Sequence, residues 1–284
     1  LGHAREKYVI WPVDRAIEAY ADSEEELNDQ AFIERFNLIQ LQEGNYVNRN
    51  IGYKSDGIFM NQAEIDAHEL DQSLVAGGTG NERLVPGDIR YKDLNGDGVL
   101  NWRDQDEIGS GALPETTYGI NLNASYKNFS MSVLLQGASG FNFNIRGGAR
   151  NILNNNSIPY QYQYKHRWTP DPIDPTVNIN PNAILPGSTD AGAHPNNDVT
   201  SDFWLQDGKY LRVKSLNIGY DLPSDLLSSI GFKQIRIYGA ASNLYTWNNL
   251  GIYKGTFDSE GPANQGGSTY PLVKTLSLGI NISL

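Results

Sequence analysis

The 284-residue chain has no cysteine. This removes disulfide staples and thiolate metal sites, and it suits any compartment where free thiols are a liability. Long apolar runs are missing too: no stretch approaches the ~20 residues that a membrane-crossing helix requires. A helical membrane protein is thereby excluded, but a transmembrane β-barrel is not, because barrel strands are half polar and read as water-soluble on a hydropathy scale. Positive charge is in short supply. With 22 Lys and Arg against 33 Asp and Glu the net charge is −11, the wrong sign for neutralising phosphates, which argues against a nucleic-acid partner. The four histidines, His3, His68, His166 and His194, show no metal spacing. Acidic neighbours such as Asp106 and Glu107 do not define a catalytic pair, which is set by separation in space. No catalytic residue is assigned, and no enzyme activity is expected. The opening residues, LGHAREKYVIWP, carry no signal-peptide pattern, so an exported chain of this kind is expected to be the tail of something longer.

What the chain does contain is strict alternation. Near its end Leu276, Leu278, Ile280, Ile282 and Leu284 fall on one side of a strand and Thr275, Ser277, Gly279, Asn281 and Ser283 on the other, so one face meets something oily and the other something wet. Tyr118, Ile120, Leu122, Ala124 and Tyr126 repeat the pattern. After the turn Lys127-Asn128 it resumes at Phe129, Met131, Val133 and Leu135, which predicts a tight hairpin. Between Tyr210 and Tyr220 the phase changes, from Leu211 and Val213 to Leu216, Ile218 and Tyr220, and a β-bulge near Lys214 and Ser215 would restore one apolar face. Lys233 to Trp247 reads as a further strand, with helical turns before it at Ser224 to Ile230. Residues 1–116 are less regular. Strands are expected near Lys7 to Trp11 and Tyr53 to Phe59, a helical turn at Ala63 to Leu70, and a short helix or acidic loop around Glu24, Glu25 and Glu26.

Connection lengths separate a barrel from a soluble sandwich. The links run two residues, roughly seventy (141–209), about a dozen and about two dozen (248–271), alternating short and long as barrels do between periplasmic turns and extracellular loops. With the carboxyl terminus in the periplasm, Tyr126, Phe129 and Tyr220 lie at periplasmic strand ends, where an aromatic girdle belongs. A sandwich with these aromatics in its core is the competing reading.

One loop carries metal-binding chemistry. Residues 93–104, DLNGDGVLNWRD, place Asp93, Asn95, Asp97, Asn101 and Asp104 at loop positions one, three, five, nine and twelve, with Gly98 at six and Val99 at seven giving its carbonyl. Six to eight oxygens wrapped round a point suit calcium, the expected cofactor. Asp104 stands where the loop pattern has a bidentate Glu, which weakens the match, and Asn-Gly-Asp-Gly also favours a turn with no ion.

Several segments together resemble the carboxyl-terminal part of the SusC/RagA family of TonB-linked outer-membrane transporters of Bacteroidota. They are GYKSDGIF (52–59), PGDIRYKD (86–93) running into the acidic loop, Ile108-Gly109, Thr117-Tyr118-Gly119, Gln136-Gly137, Arg167-Trp168-Thr169, Tyr210-Leu211-Arg212 with Asn217-Ile218-Gly219-Tyr220, Ser242-Asn243-Leu244, and Tyr270-Pro271. Their order matches from about residue 50 onward, whereas the closing Leu284 departs from the aromatic common at barrel termini. The resemblance implies an all-β fold, the carboxyl-terminal part of a large antiparallel transmembrane barrel with long extracellular loops. Residues 1–116 would hold barrel strands and a loop region with the calcium-like loop, and residues 117–284 the final strands with loops 141–209 and 248–271. It also implies an outer-membrane importer of oligosaccharides or peptides that works with a SusD-like surface lipoprotein and draws energy from TonB through an amino-terminal part outside this sequence. Contacts to cargo or lid are expected from Arg146, Arg150, Tyr160, Tyr162, Tyr164, Trp168, Trp204 and Trp247. The alternative is an extracellular calcium-stabilised, β-rich glycan-binding module using Trp168, Trp204 and Trp247 as a sugar-stacking platform.

Overall fold

The structure, a computed structural model, describes residues 2–3, 23, 28–39, 48–152, 158–187, 194–228, 231–261, 264–266, 270 and 272–283. The strand expected at Lys7 to Trp11, the acidic stretch at Glu24 to Glu26 and the closing Leu284 lie outside the described residues.

Six strands form one wide antiparallel sheet in the order β1 (Gly2–His3), β6 (Thr116–Tyr126), β7 (Phe129–Ser139), β10 (Tyr210–Asp221), β11 (Gln234–Asn248) and β13 (Thr275–Ser283). Alternation fixes the register, because a slip by one residue would turn every apolar side chain to the wet face. Paired residues share a face, so the register reads as rows across the sheet. Tyr126, Phe129, Tyr220 and Ile237 make one row with Ile280. Ala124, Met131, Ile218 and Gly239 follow with Leu278, then Leu122, Val133, Leu216 and Ala241 with Leu276. Beyond the expected bulge, where pairing skips from Val213 to Ser215, the rows continue as Ile120, Leu135, Val213 and Tyr245, then Tyr118, Gly137, Leu211 and Trp247. The bulge therefore keeps one apolar face unbroken, and Asn243, at φ 51°, absorbs the irregularity on the neighbouring strand.

This face is open. Leu276, Leu278, Ile280 and Ile282 are 69, 84, 60 and 59% exposed, and a continuous apolar surface of that kind signals a membrane or a partner rather than water. Nine residue steps separate Tyr220 from Leu211, roughly 30 Å along a strand and ~20 Å along the axis at a ~45° tilt, close to the ~25 Å apolar band of outer-membrane barrels. Aromatic residues close the band at both ends, Tyr126, Phe129 and Tyr220 at one and Tyr118, Tyr245 and Trp247 at the other. The sheet is a section of a transmembrane β-barrel wall. Its inner face carries Asn121, Asn123, Ser125, Ser130, Ser132, Asn217, Ser277 and Asn281, with the larger Arg236, Tyr238 and Leu134 among them, a mainly polar surface suited to a water-filled lumen.

All short links lie at one end: the turn Lys127-Asn128, where Lys127 adopts φ 52°, and the segment with a helix at Ser224–Ser228. The long connections gather at the other, the loop end. There β2 (Arg49–Tyr53) pairs with β5 (Gln105–Ser110), β3 (Ser55–Ile58) with β4 (Ile89–Tyr91), and β8 (Asn142–Ile145) with β9 (Leu205–Asp207) and β12 (Asn264–Gln265). Among the described residues before β6, only β1 joins the wide sheet. The expected helical turn near Ala63 is present at Gln62–Asp66, capped by the Asn61 side chain accepting from Glu64 N–H.

Candidate functional site

The loop end is one packed body rather than three separate loops. Its core joins Tyr53, Ile58, Ile89, Tyr91 and Leu100 from before β6 with Phe143, Ile145, Tyr162, Trp168 and Trp204 from the β7–β10 connection. Leu250, Tyr253 and Phe257 enter from the β11–β13 connection. Burying aromatics from distant segments supplies cohesion that none of the connections could generate alone.

Polar side chains complete the weld. One edge of β4 pairs with β3, and the other is satisfied by side-chain amides. Ile89 N–H donates to Asn197 Oδ1 (2.8 Å) and Tyr91 N–H to Gln72 Oε1 (2.9 Å), while Ile89 C=O accepts from Asn196 Nδ2 (2.7 Å). Gln72 Nε2 also donates to Asn196 Oδ1 (2.9 Å), and Tyr91 O–H to Asn196 C=O (2.7 Å). Gln72, Asn196 and Asn197 are buried, so each hydrogen bond here also avoids the cost of an unpaired polar group. Nothing in the sequence pattern marks these three amides.

The residues expected to touch cargo or lid divide sharply. Trp168 is 4% exposed, donates its ring N–H to Met60 C=O (3.0 Å) and packs against Gly87 and Gly187, where a Cβ would meet the ring. Trp204 is 2% exposed and donates to Asn197 C=O (2.9 Å), with the Arg150 guanidinium 5.1 Å from its ring centroid. Tyr162 is buried beneath Tyr160, donates to Ala149 C=O, and has its hydroxyl pushed far above the usual tyrosine range by burial. Arg150 pairs with Asp198 at 3.0 Å. These groups hold the body together. Trp247 lies in the outward aromatic row, packed edge-on against Tyr245 at 4.7 Å. The three tryptophans of the proposed sugar platform therefore occupy no common surface, and the structure corrects that expectation. Arg146 and Tyr164 are exposed, and Tyr160 is half-buried.

The acidic loop keeps its turn geometry but divides its oxygens. Gly96 and Gly98, at φ 79° and 80°, make the turns that only glycine adopts cheaply. Asp93 accepts from Gly96 N–H (2.6 Å) and Gly98 N–H (2.8 Å), and Asp97 from Val99 N–H (2.8 Å) and Asn95 Nδ2 (2.7 Å). Burial draws the Asp97 carboxyl upward, but hydrogen bonds from Asn95, Val99 and Asn101 together outweigh it and hold the group below the ordinary carboxylate value. Asp104 differs. It is fully buried, its oxygens accept from Leu94 N–H (2.9 Å) and Asn101 N–H (2.8 Å), and burial raises its pKa against those bonds. Asn101 accepts from Arg103 N–H (2.8 Å) and closes a capping box with Asp104. Asp104 and Asn101 thus close the loop on itself, with Asn101 Nδ2 also donating to the Val99 carbonyl (3.2 Å), while Asn95 and Asp97 are exposed and Asp93 is half-buried. Among the described residues, no group of three or more His, Asp or Glu side chains is arranged to hold a metal ion.

A second polar cluster, not anticipated from the sequence, lies on the lumen wall beneath the body. Arg212, buried in β10, donates its Nε–H to Thr246 Oγ1 (2.8 Å), one terminal nitrogen to both Asp258 oxygens (2.7 and 2.9 Å), and the other to Glu260. Glu260 also accepts from Tyr210 O–H (2.7 Å), Gln136 Nε2 (3.0 Å) and Lys214 Nζ (3.1 Å). Lys214, two residues on from Arg212, shares its side by strand alternation, before the bulge reverses the phase. A cation at an inward strand position was the available signal, but its acidic partners lie 46 and 48 residues away.

No protein-family profile matches the chain. A TonB-dependent receptor of Formosa agariphila, P26, is 30% identical over 242 residues, covering 82% of this chain and 22% of the relative. A second receptor of that organism, P3, is 26% identical over 208 residues, 69% of this chain and 19% of the relative. The chain thus spans about a fifth of the length of these relatives. Among solved structures, the RagAB peptide importer in its open-open state aligns with a TM-score of 0.51 at 20% identity, over 86% of this chain and 23% of that one. The closed-closed state gives 0.52 at 21% identity, over 85% and 24%. These structural matches bear on fold.

Proposed function

We propose that this chain, a member of the SusC/RagA family of TonB-dependent outer-membrane transporters, forms the carboxyl-terminal wall and part of the mouth of an importer of oligosaccharides or peptides. The observation that carries this reading is the pairing of one unbroken outward apolar face with a single loop body gathered at one end of the wall. In this reading the loop end is extracellular and the Lys127-Asn128 turn periplasmic. A SusD-like lipoprotein covers the mouth, and TonB acts through an amino-terminal part of the parent chain. Cargo and lid contacts fall on exposed side chains, Arg146, Tyr164 (71% exposed), Ile158 (89%) and Ile173 (95%), rather than on Tyr162, Trp168 or Trp204, which the body needs for its own packing.

The test uses the parent chain in its own outer membrane. Replacing Tyr164 and Ile173 together by Asp is expected to reduce co-purification of the lid lipoprotein and growth on the oligomer, with the barrel still inserted, as judged by heat-modifiable migration. Unchanged lid capture and growth would move the contact surface elsewhere. Import that continues without TonB would end the TonB-dependent reading.

We also propose that the acidic loop takes one calcium ion through Asp93, Asn95, Asp97 and the Val99 carbonyl, with water completing the shell. The donor chemistry, hard oxygens on a glycine-shaped turn, favours calcium over a softer metal. Calorimetric titration of the parent chain with calcium should give one site that is lost on Asp97→Ala, with barrel insertion unaffected. Absence of calcium-dependent heat at millimolar calcium would leave the loop as a self-closed turn.

A further inference from the structure

We infer that Asp258 and Glu260 are a latch that seats the whole loop-end body on the inner wall of the barrel, and that the body leaves the wall as one unit when the latch opens. The strap they belong to, residues 257–261 and 264–266, has two sides. One is part of the body: Phe257 enters the shared core, β12 pairs with β8, and Gln265 Nε2 holds Asp258 C=O (2.9 Å). The other meets the wall through donors from β7 and β10, namely Gln136, Tyr210, Arg212 and Lys214.

These two attachments differ in kind. Parting the body internally would expose buried aromatics and strip the amides around Ile89 and Tyr91 of their partners. Parting it from the wall breaks charge-assisted hydrogen bonds at a lumen edge: Lys214 and Glu260 side chains already keep 33 and 21% of their surface, whereas those of Arg212 and Asp258, at 2 and 14%, meet water as the strap lifts off them. The cluster is also balanced, two cations on the wall against two carboxylates on the strap, so each half separates with a compact, solvable charge. The surface of easiest separation therefore runs between strap and wall and not through the body.

Because these 284 residues hold no cysteine, pairs of spin labels can be placed in them at introduced cysteines, with any cysteine elsewhere in the parent chain replaced first. Labels at Leu74, Ile173 and Lys254, exposed and one from each connection, report distances within the body, and a label at Lys127 in the opposite turn reports distance to the wall. In the Asp258→Asn, Glu260→Gln variant each body-to-turn distance is expected to gain a second, longer population while the distances among the three body labels keep their original distributions. Unchanged body-to-turn distances would overturn the latch. Broadened distances among the body labels would overturn the single unit. Should that variant fail to insert, Gln136→Leu with Lys214→Met removes two of the wall donors without touching the carboxylates, and the same distances decide.

Discussion

Replacing Leu216 by Arg is expected to cost about 2–4 kcal/mol of barrel stability, because the side chain would stand in hydrocarbon at mid-depth of the wall. The depth follows from the register. The apolar face runs in rows from Tyr220 to Leu211, and Leu216, flanked by Val133 and Ala241 and continued to Leu276, is the middle one. Leu278 lies one row nearer the turn end, so Leu278→Arg should cost somewhat less, and Arg in place of Tyr220 at the girdle less again. The neighbouring Asn217 points into the lumen, and Asn217→Arg should cost under ~1 kcal/mol. Denaturant unfolding of the parent barrel from lipid vesicles would read this gradient. Equal penalties at Leu216 and Asn217 would mean that both faces are protein core, and the barrel assignment would fail.

The second large effect concerns the loop body. Trp204→Ala removes a buried indole, its hydrogen bond to Asn197 and the surface under the Arg150 guanidinium, a loss of about 3–5 kcal/mol for a fully packed aromatic. Trp204→Phe keeps the ring and loses only the N–H donor. Asn197 C=O retains the Arg150 donor, so this change should cost about 1 kcal/mol. Limited proteolysis should then cut the loop end of the Ala variant far faster than that of the Phe variant, with heat-modifiable migration preserved in both. If Trp204 were a cargo platform instead, Ala would impair uptake and leave protease resistance unchanged.

The wall was legible in the sequence because lipid and water impose a period of two on every strand, and no tertiary detail is needed to see Ile120, Leu122 and Ala124 on one side. Even the bulge at Lys214 followed from that rule, since only a phase change reconciles Leu211 with Leu216. The loop body obeys no period. Whether a tryptophan there is a surface group or a core group depends on partners far along the chain: Trp168 is buried by Met60, Gly87 and Gly187, whereas Trp247, equally aromatic and equally close to a long loop, belongs to the outward girdle. Gln72 looks like a surface residue until Ile89, Tyr91 and Asn196 surround it. In the acidic loop the spacing correctly located the turns, but it could not reveal that Asp104 is spent on the backbone amides of Leu94 and Asn101.

The shared core also limits how the loop end can change over evolutionary time. A loop that packs only on itself can be exchanged for another of different length, and recognition can diversify one graft at a time. Here Phe143, Tyr253 and Tyr91 come from different connections yet pack in one interior, so substitutions in one segment will be epistatic with those in the other two. Under the proposed import function, new cargo ranges should arise by point changes on the exposed rim, or by inheritance of the three connections together. Chimeras that transplant a single connection from a relative should misfold at the mouth, whereas chimeras that transplant all three should not.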